Sequence, residues 1–97
     1  MYLTYVRHKI KDYVQWKKAF DHNANLLFKK HGMINTFVVR ANDDPTDIII
    51  INTWPSKQHW DDFGAEHEKP ENKGKFKTPE DGGVVGEVEF VGGSVVE

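Results

Sequence analysis

The chain has 97 residues, with 13 Lys and Arg against 15 Asp and Glu, so its net charge is −2; one domain over residues 1–97 is expected. This balance argues against a dedicated nucleic-acid binder, and the absence of cysteine excludes disulfide scaffolds, thiolate zinc sites and cysteine nucleophiles. The longest aliphatic run, Ile48 to Ile51, is too short to cross a membrane, and the N-terminus lacks a signal-peptide core. We therefore expect a cytoplasmic protein with no nucleic-acid or membrane partner.

The first part of the chain predicts a strand, a helix and a second strand. Residues 2–10 alternate as a strand does, and residues 33–41 form the second strand. Asp12 suits a helix N-cap, and Gly32 suits the left-handed residue after a helix. The helix between them, over 13–31, has one face of side chains at steps of three and four: Tyr13, Trp16, Phe20, Ala24, Leu27 and His31.

The second part predicts a strand, a helix and a last strand. A turn at 42–45 leads to a strand over 46–54 that is apolar on both faces, followed by a helix over 57–68. Pro and Gly residues predict an irregular loop over 69–83. The last strand spans 84–91, and Gly92-Gly93 predicts a turn into a tail at 94–97. The inner face of the second helix is expected to carry Trp60, Phe63 and His67.

This order of elements predicts an α+β fold, the ferredoxin-like split βαβ arrangement with a four-stranded antiparallel sheet. Both helices then cover the same face of the sheet. Ile48 to Ile51 and the pair Phe37 and Val38 nevertheless place apolar side chains on both faces. A second copy of the chain is the simplest cover for the open face, which predicts a homodimer in which two protomers form a dimeric α/β barrel. The alternative is that these side chains are ordinary exposed surface.

Several short motifs resemble the dimeric α/β-barrel superfamily, in its antibiotic-biosynthesis-monooxygenase-like branch. They are Asp12-Tyr13, Trp16-Lys17, Phe20-Asp21, Gly32, Asp43-Asp44-Pro45 and Trp54-Pro55-Ser56. The resemblance implies a homodimer and one of three activities: cofactor-independent oxidation of aromatic polyketides, haem degradation or polyketide cyclisation. The chain departs from the branch at Asn52, where a glutamate is common, and at Phe63, where a histidine is common. Its first strand lacks the asparagine of haem-degrading members, which disfavours haem.

Strand pairing predicts one candidate site on the open face. If Val6 and His8 face the helices, then Tyr5 and Arg7 share the other side with Glu87 and Glu89, and the resemblance adds Asn52 and Trp54 there. The candidate catalytic residues are Glu89 or Glu87 as a base and Arg7 as an oxygen-binding cation. The candidate ligand-binding residues are Tyr5, Asn52, Trp54, Trp60, Phe63 and His67. The alternative is a structural ion pair between Arg7 and a glutamate at a dimer interface.

No metal or cofactor is expected. His59 and His67 lie eight residues apart, about 80° from alignment on a helix, and no third ligand follows by spacing. The sequence therefore predicts a dimer that binds a small aromatic or polyketide-like molecule, with cofactor-independent monooxygenase or cyclase-like chemistry if it is an enzyme. The alternative is a non-catalytic ligand-binding or structural dimer.

Overall fold

The computed structural model describes residues 1–67 and 84–96, so the predicted loop at 69–83 and the last residue of the predicted tail lie outside the described residues. The elements are β1 (Tyr2–Ile10), α1 (Tyr13–Ala19), a π-helical segment (Phe20–Ala24), α2 (Asn25–Lys30), β2 (Asn35–Arg40), β3 (Asp47–Trp54), α3 (Lys57–His67) and β4 (Val84–Ser94). The strands form one antiparallel sheet in the order β2-β3-β1-β4. The predicted α+β ferredoxin-like arrangement is confirmed. In the described part of the chain, no helix is both long and apolar enough to cross a membrane.

The first helix follows the predicted signals at both ends. The Asp12 side chain accepts from the Gln15 N–H at 3.2 Å, and Gly32 has a φ of 83°. Between them, the π-helical segment adds one residue to the helical repeat. The helical residues after it are rotated about the helix axis. Phe28 is therefore buried, whereas the regular spacing predicted Leu27 on the buried face, and Leu27 is only partly buried. The prediction of a uniform helix over 13–31 was wrong at this point.

The helices cover one face of the sheet, which we call the inner face; the opposite side is the outer face. On β1 and β3 the even-numbered side chains share one face, because Thr4 pairs with Asn52 and Val6 pairs with Ile50. This is the inner face, since Thr4, Asn52 and Ile50 are buried. The buried apolar core lies between this face and the helices: Tyr2, Ile10, Trp16, Phe20, Phe28, Ile48, Ile50, Trp54 and Phe63. The predicted helix-facing set of β1 is therefore confirmed.

The last strand is longer than predicted. Gly92 and Gly93 were expected to form a turn, but they pair with Thr4 and Leu3, and Ser94 pairs with Tyr2. The Val95 N–H then donates to the Met1 carbonyl at 2.9 Å. The strand continues because β1 begins at Tyr2 and offers these backbone groups partners, which outweighs the weak strand preference of glycine. The predicted tail therefore starts after Ser94.

The outer face carries a half-exposed aliphatic and aromatic surface. Its most exposed large apolar side chains on β1, β2 and β4 are Leu3, Phe37, Val39 and Val91. Ile49 and Ile51 lie between them and are partly buried. No second layer covers this face in the described part of a single chain, whereas both helices lie on the other side.

Candidate functional site

The predicted site residues divide between the two faces of the sheet. Tyr5 and Arg7 lie on the outer face, opposite Val91 and Glu89 on β4. Asn52 and Trp54 were expected beside them, but they lie on the inner face. The correction follows from the register, because Tyr5 pairs with Ile51, and neighbouring residues of a strand point to opposite sides.

The inner face brings four of the predicted ligand-binding side chains together. Trp54 is fully buried, and its ring centroid lies 5.5 Å from those of both Trp60 and Phe63. The His67 ring packs against Phe63 at 5.6 Å. Trp60 also stacks on Phe90 of β4, with centroids 5.2 Å apart and planes within 8°. These rings form one aromatic cluster between α3 and the inner face.

Two aromatic members of this cluster were missed by the sequence analysis as site residues. Phe90 lies on the inner side of β4, where it pairs with Val6, and the π-helical segment hid Phe28 from the regular helical spacing. The Phe28 ring centroid lies 4.7 Å from that of Phe63 and 5.8 Å from that of Trp54. The alternating pattern of β4 already indicated Phe90, whereas no local signal indicated Phe28.

Asn52 is a buried amide at the centre of the inner face. Its residue surface is 1% exposed, and neither Oδ1 nor Nδ2 has a hydrogen-bond partner in the part of the chain that the structure describes. The Thr36 Oγ1, on the neighbouring strand, is likewise buried without a partner. The Thr4 Oγ1 on the other side accepts from Trp54 Nε1 at 3.1 Å. A buried amide with no partner costs the free energy of its lost hydration, so this position is not optimised for stability.

Arg7 forms an ion pair on the outer face, but with a partner that the sequence analysis did not select. Its Nε donates to Asp47 Oδ1 at 3.0 Å and its Nη2 donates to Asp47 Oδ2 at 2.6 Å. These bonds hold the pKa of the Asp47 carboxyl below its usual range. They also raise the pKa of Arg7, with a further contribution from the Tyr5 hydroxyl.

The candidate base residues are exposed. Glu89 lies directly opposite Arg7 in the β1–β4 register, and both it and Glu87 are open to solvent in the single chain. In the single chain, Asp47 at the start of β3 holds the Arg7 guanidinium. The alternative of an ion pair between Arg7 and a glutamate at a dimer interface stays a prediction. Asp47 sits diagonally across from Arg7, two residues before Ile49, which is the register partner of Arg7.

A second polar cluster joins α3 to the end of α2. The Glu66 carboxylate accepts from Lys30 Nζ and contacts His31 Nε2 at 2.7 Å. The Lys30 ammonium, and then the His31 ring, hold the pKa of Glu66 below its usual range. This ion pair keeps α3, and with it Trp60 and Phe63, against the inner face. In the described ranges no three His, Asp or Glu side chains come together as metal ligands.

Comparison with protein-family models and with curated proteins finds no match. Solved structures do match. A proposed antibiotic biosynthesis monooxygenase from Nitrosomonas europaea is 16% identical, with a TM-score of 0.71 and full coverage of both chains. A dimeric ferredoxin-like protein from an uncultured marine organism is 15% identical, with a TM-score of 0.71 over 100% of this chain and 96% of that one.

The cofactor-independent oxygenase SnoaB from Streptomyces nogalater is 13% identical, with a TM-score of 0.71 over 99% of this chain and 94% of that one. The chain has the fold of antibiotic-biosynthesis-monooxygenase-like proteins. The resemblance drawn from the sequence motifs is thereby confirmed for the fold. Identities this low carry the fold alone, because one fold hosts many reactions.

Proposed function

We propose that this protein binds a small aromatic or polyketide-like molecule between its helices and the inner face of its sheet. The observation that carries the proposal is the Asn52 amide, which is buried on the face that also carries the aromatic cluster and has no hydrogen-bond partner among the described residues. A ligand with a carbonyl or hydroxyl group would satisfy that amide, while Trp54 and Trp60 would contact the flat ring. Binding would thus recover the hydration free energy that Asn52 loses on folding.

The fold supports oxygenation without a cofactor as the reaction of this site. An activated methylene between two aromatic rings can lose two hydrogens and gain one oxygen atom from O₂, and the other oxygen atom leaves as water. The electrons balance within the substrate and O₂, so no external reductant is required. In this scheme the Asn52 Nδ2 donates to the substrate oxygen on which negative charge develops. SnoaB, whose fold this chain shares, is a cofactor-independent oxygenase.

Binding without turnover is the second candidate, and one observation favours it. The three predicted catalytic side chains, Arg7, Glu87 and Glu89, are on β1 and β4 away from Asn52, with Arg7 already held by Asp47. The inner face near Asn52 presents hydroxyl and amide groups and no described carboxylate. A protein of this kind would carry or sense the same aromatic molecule.

We further propose that the working unit is a homodimer joined through the outer face. Phe37 and Val91, both more than half exposed, flank Ile51 and Tyr5 in one register row of apolar side chains. Contiguous apolar surface of this kind favours a protein partner. One structure with the same fold is described as a dimeric ferredoxin-like protein. A second copy would present the same apolar rows, so the face is suited to a two-fold contact.

A ligand screen with a matched pair of variants tests the binding site. Phenols, quinones, haem and flavins are screened by thermal shift, and hits are titrated by calorimetry. Asn52→Ala should weaken binding of a phenol or quinone at least tenfold, whereas Thr53→Val, the adjacent residue on the outer face, should leave it unchanged. The proposal fails if no phenol or quinone binds, or if Asn52→Ala binds as tightly as the wild-type protein.

Oxygen uptake separates the two candidate functions. Anthrone, whose central methylene is flanked by two aromatic rings, is incubated in air with the protein, and oxygen consumption and product formation are recorded against a protein-free control. Turnover that is lost in Asn52→Ala and retained in Thr53→Val supports the oxygenase. Tight binding of the same compound with oxygen uptake no faster than in the protein-free control assigns the non-catalytic function instead.

A further inference from the structure

Asn52 is one member of a line of polar groups that crosses the whole sheet. On the inner face, Thr36, Asn52, Thr4 and Gly92 occupy successive strands at one level, because each is the register partner of the next. We call these four positions the polar row. Neighbouring strands are about 4.8 Å apart, so the row is roughly 14 Å long.

Tyr2 completes the row where β4 provides no side chain. An added Cβ at Gly92 would lie 2.2 Å from the Tyr2 hydroxyl oxygen and 2.9 Å from the ring carbon that bears it. The phenol therefore lies directly over Gly92, and only glycine leaves it that space. Each of the four strand positions thus has an oxygen or an amide at the same level.

Apolar side chains flank the polar row on both sides. One neighbouring row contains Trp54, and the other contains Val38, Ile50, Val6 and Phe90. The Trp60 ring contacts Trp54 in the first and Phe90 in the second. Trp60 therefore lies over the polar row near Thr4, so a flat ligand would have rings above it and polar groups along its edge.

The polar row carries hydroxyl and amide groups and no ionic side chain. Arg40, the cation on the inner side of β2, lies four residues beyond Thr36, with its guanidinium 3.9 Å from the centroid of the Tyr13 ring. Lys57, at the start of α3, is paired with Asp61 at 3.0 Å. A ligand carboxylate on the polar row would lose its hydration without gaining an opposite charge from either of these two described cations.

We infer that the ligand is an uncharged aromatic molecule with oxygens in a meta arrangement along one edge, held by Asn52 and by Thr36, its neighbour in the polar row. This rests on the proposed function. The reason is spacing, because two meta oxygens on a ring are separated by about the distance between neighbouring strands, about 4.8 Å. Each oxygen then meets its own strand position, whereas ortho oxygens are too close together to reach two.

The test compares naphthalene probes that share one ring system. They are a naphthalene with two meta hydroxyls, its ortho isomer and a naphthalene carboxylate, each titrated by calorimetry. The meta isomer should bind at least five times more tightly than the ortho isomer, and the carboxylate should bind most weakly. Equal affinity for the two diols, or tightest binding of the carboxylate, overturns the inference.

Two variants test the residues of the polar row. Thr36→Val removes one hydroxyl beside Asn52 at nearly constant shape and should weaken binding of the meta diol about three- to tenfold. Tyr2→Phe is the matched control and should leave that binding unchanged. It removes the hydroxyl above Gly92, which lies two strand positions, or about 10 Å, from Asn52 and is beyond the reach of two meta oxygens held by Asn52 and Thr36.

The outcomes distinguish this inference from the proposed function. If Asn52→Ala weakens binding of the meta diol while Thr36→Val does not, or if Tyr2→Phe weakens it as much as Thr36→Val does, the inference fails and the aromatic site at Asn52 stands. If no probe binds, or if Asn52→Ala has no effect, the proposed function fails and the inference fails with it. Melting temperatures of all variants show whether a loss of affinity is a loss of fold.

Discussion

The two faces of the sheet are built from the same four strands, yet they differ in chemistry. The inner face is closed by the helices and combines aromatic rings with amide and hydroxyl groups, of which Asn52 is the most deeply buried without a partner. The outer face is open and aliphatic, with one forked ion pair between Arg7 and Asp47. Alternate residues of one strand therefore enter different proposals: one set belongs to the proposed small-molecule site, and the other to the proposed dimer interface.

The largest effect is expected on the inner face, from Trp54→Ala. Trp54 is fully buried, packs against three aromatic rings and donates to Thr4. Removing such a side chain should lower the free energy of unfolding by about 3–5 kcal/mol, measured by urea denaturation. Phe37→Ala is the outer-face counterpart; because Phe37 is 59% exposed, it should cost far less when measured on monomers. Equal losses in the free energy of unfolding would contradict the expected difference between the buried inner face and the exposed outer face.

A charge on the outer face should separate the protomers and leave the fold intact. Phe37→Asp places a carboxylate in the middle of the proposed interface, where it would lose hydration without a partner. Sedimentation at micromolar concentration should show a dimer for the wild-type protein and a monomer for the variant. Val14→Asp is the control, since Val14 is equally exposed but lies on α1. A monomeric wild-type protein would contradict the proposed interface.

Asn52→Leu should stabilise the fold while removing ligand binding. The substitution replaces an unsatisfied buried amide with an apolar side chain, which should raise the free energy of unfolding by about 1–3 kcal/mol. Chemical denaturation and a ligand titration on the same sample test both parts. A loss of stability would mean that the amide has a structural role, which would count against the proposed ligand-binding role of Asn52 on the inner face.

The smallest expected effect is a change in acid stability from Asp47→Asn. The pKa of Asp47 is lowered in the folded protein from an ordinary value of 3.8, chiefly by the Arg7 side chain. Its contribution to stability is therefore complete above that value, and it is lost as the pH falls through the lower, folded pKa. Melting temperatures across this range should fall less steeply for Asp47→Asn than for the wild-type protein.

Two other aspartates, Asp44 and Asp61, are needed to interpret that measurement. The pKa of Asp44 is lowered to about 2 by bonds from Thr46, so its titration lies at the acid end of the range. Asp61→Asn is the control, because it breaks an exposed ion pair with Lys57 of similar length, 3.0 Å. If Asp47→Asn and Asp61→Asn give the same dependence of melting temperature on pH, the two hydrogen bonds between Arg7 and Asp47 stabilise the fold no more than an exposed ion pair does.

Local signals were sufficient for much of the fold. The alternation of residues 2–10 identified β1 and its helix-facing side, and Asp12 and Gly32 marked the two ends of the first helix. These features depend on a few neighbouring residues and on backbone geometry. The π-helical segment that buries Phe28, and the pairing that extends β4 through Gly92 and Gly93, were not predictable in this way, because both depend on what packs or pairs from elsewhere in the chain.

The candidate site shows the same division most clearly. The sequence by itself indicated Asn52, Trp54, Trp60 and Phe63 as candidate ligand-binding residues, and it indicated that the sheet is apolar on both sides. It did not determine which face of the sheet carries Asn52. Ile48 to Ile51 are apolar at every position, so the alternation of polar and apolar residues does not indicate the buried face there. Only the tertiary register, with Thr4 opposite Asn52, placed the amide under the helices. A shift of one residue would have moved it to the outer face, since successive side chains of a strand point in opposite directions.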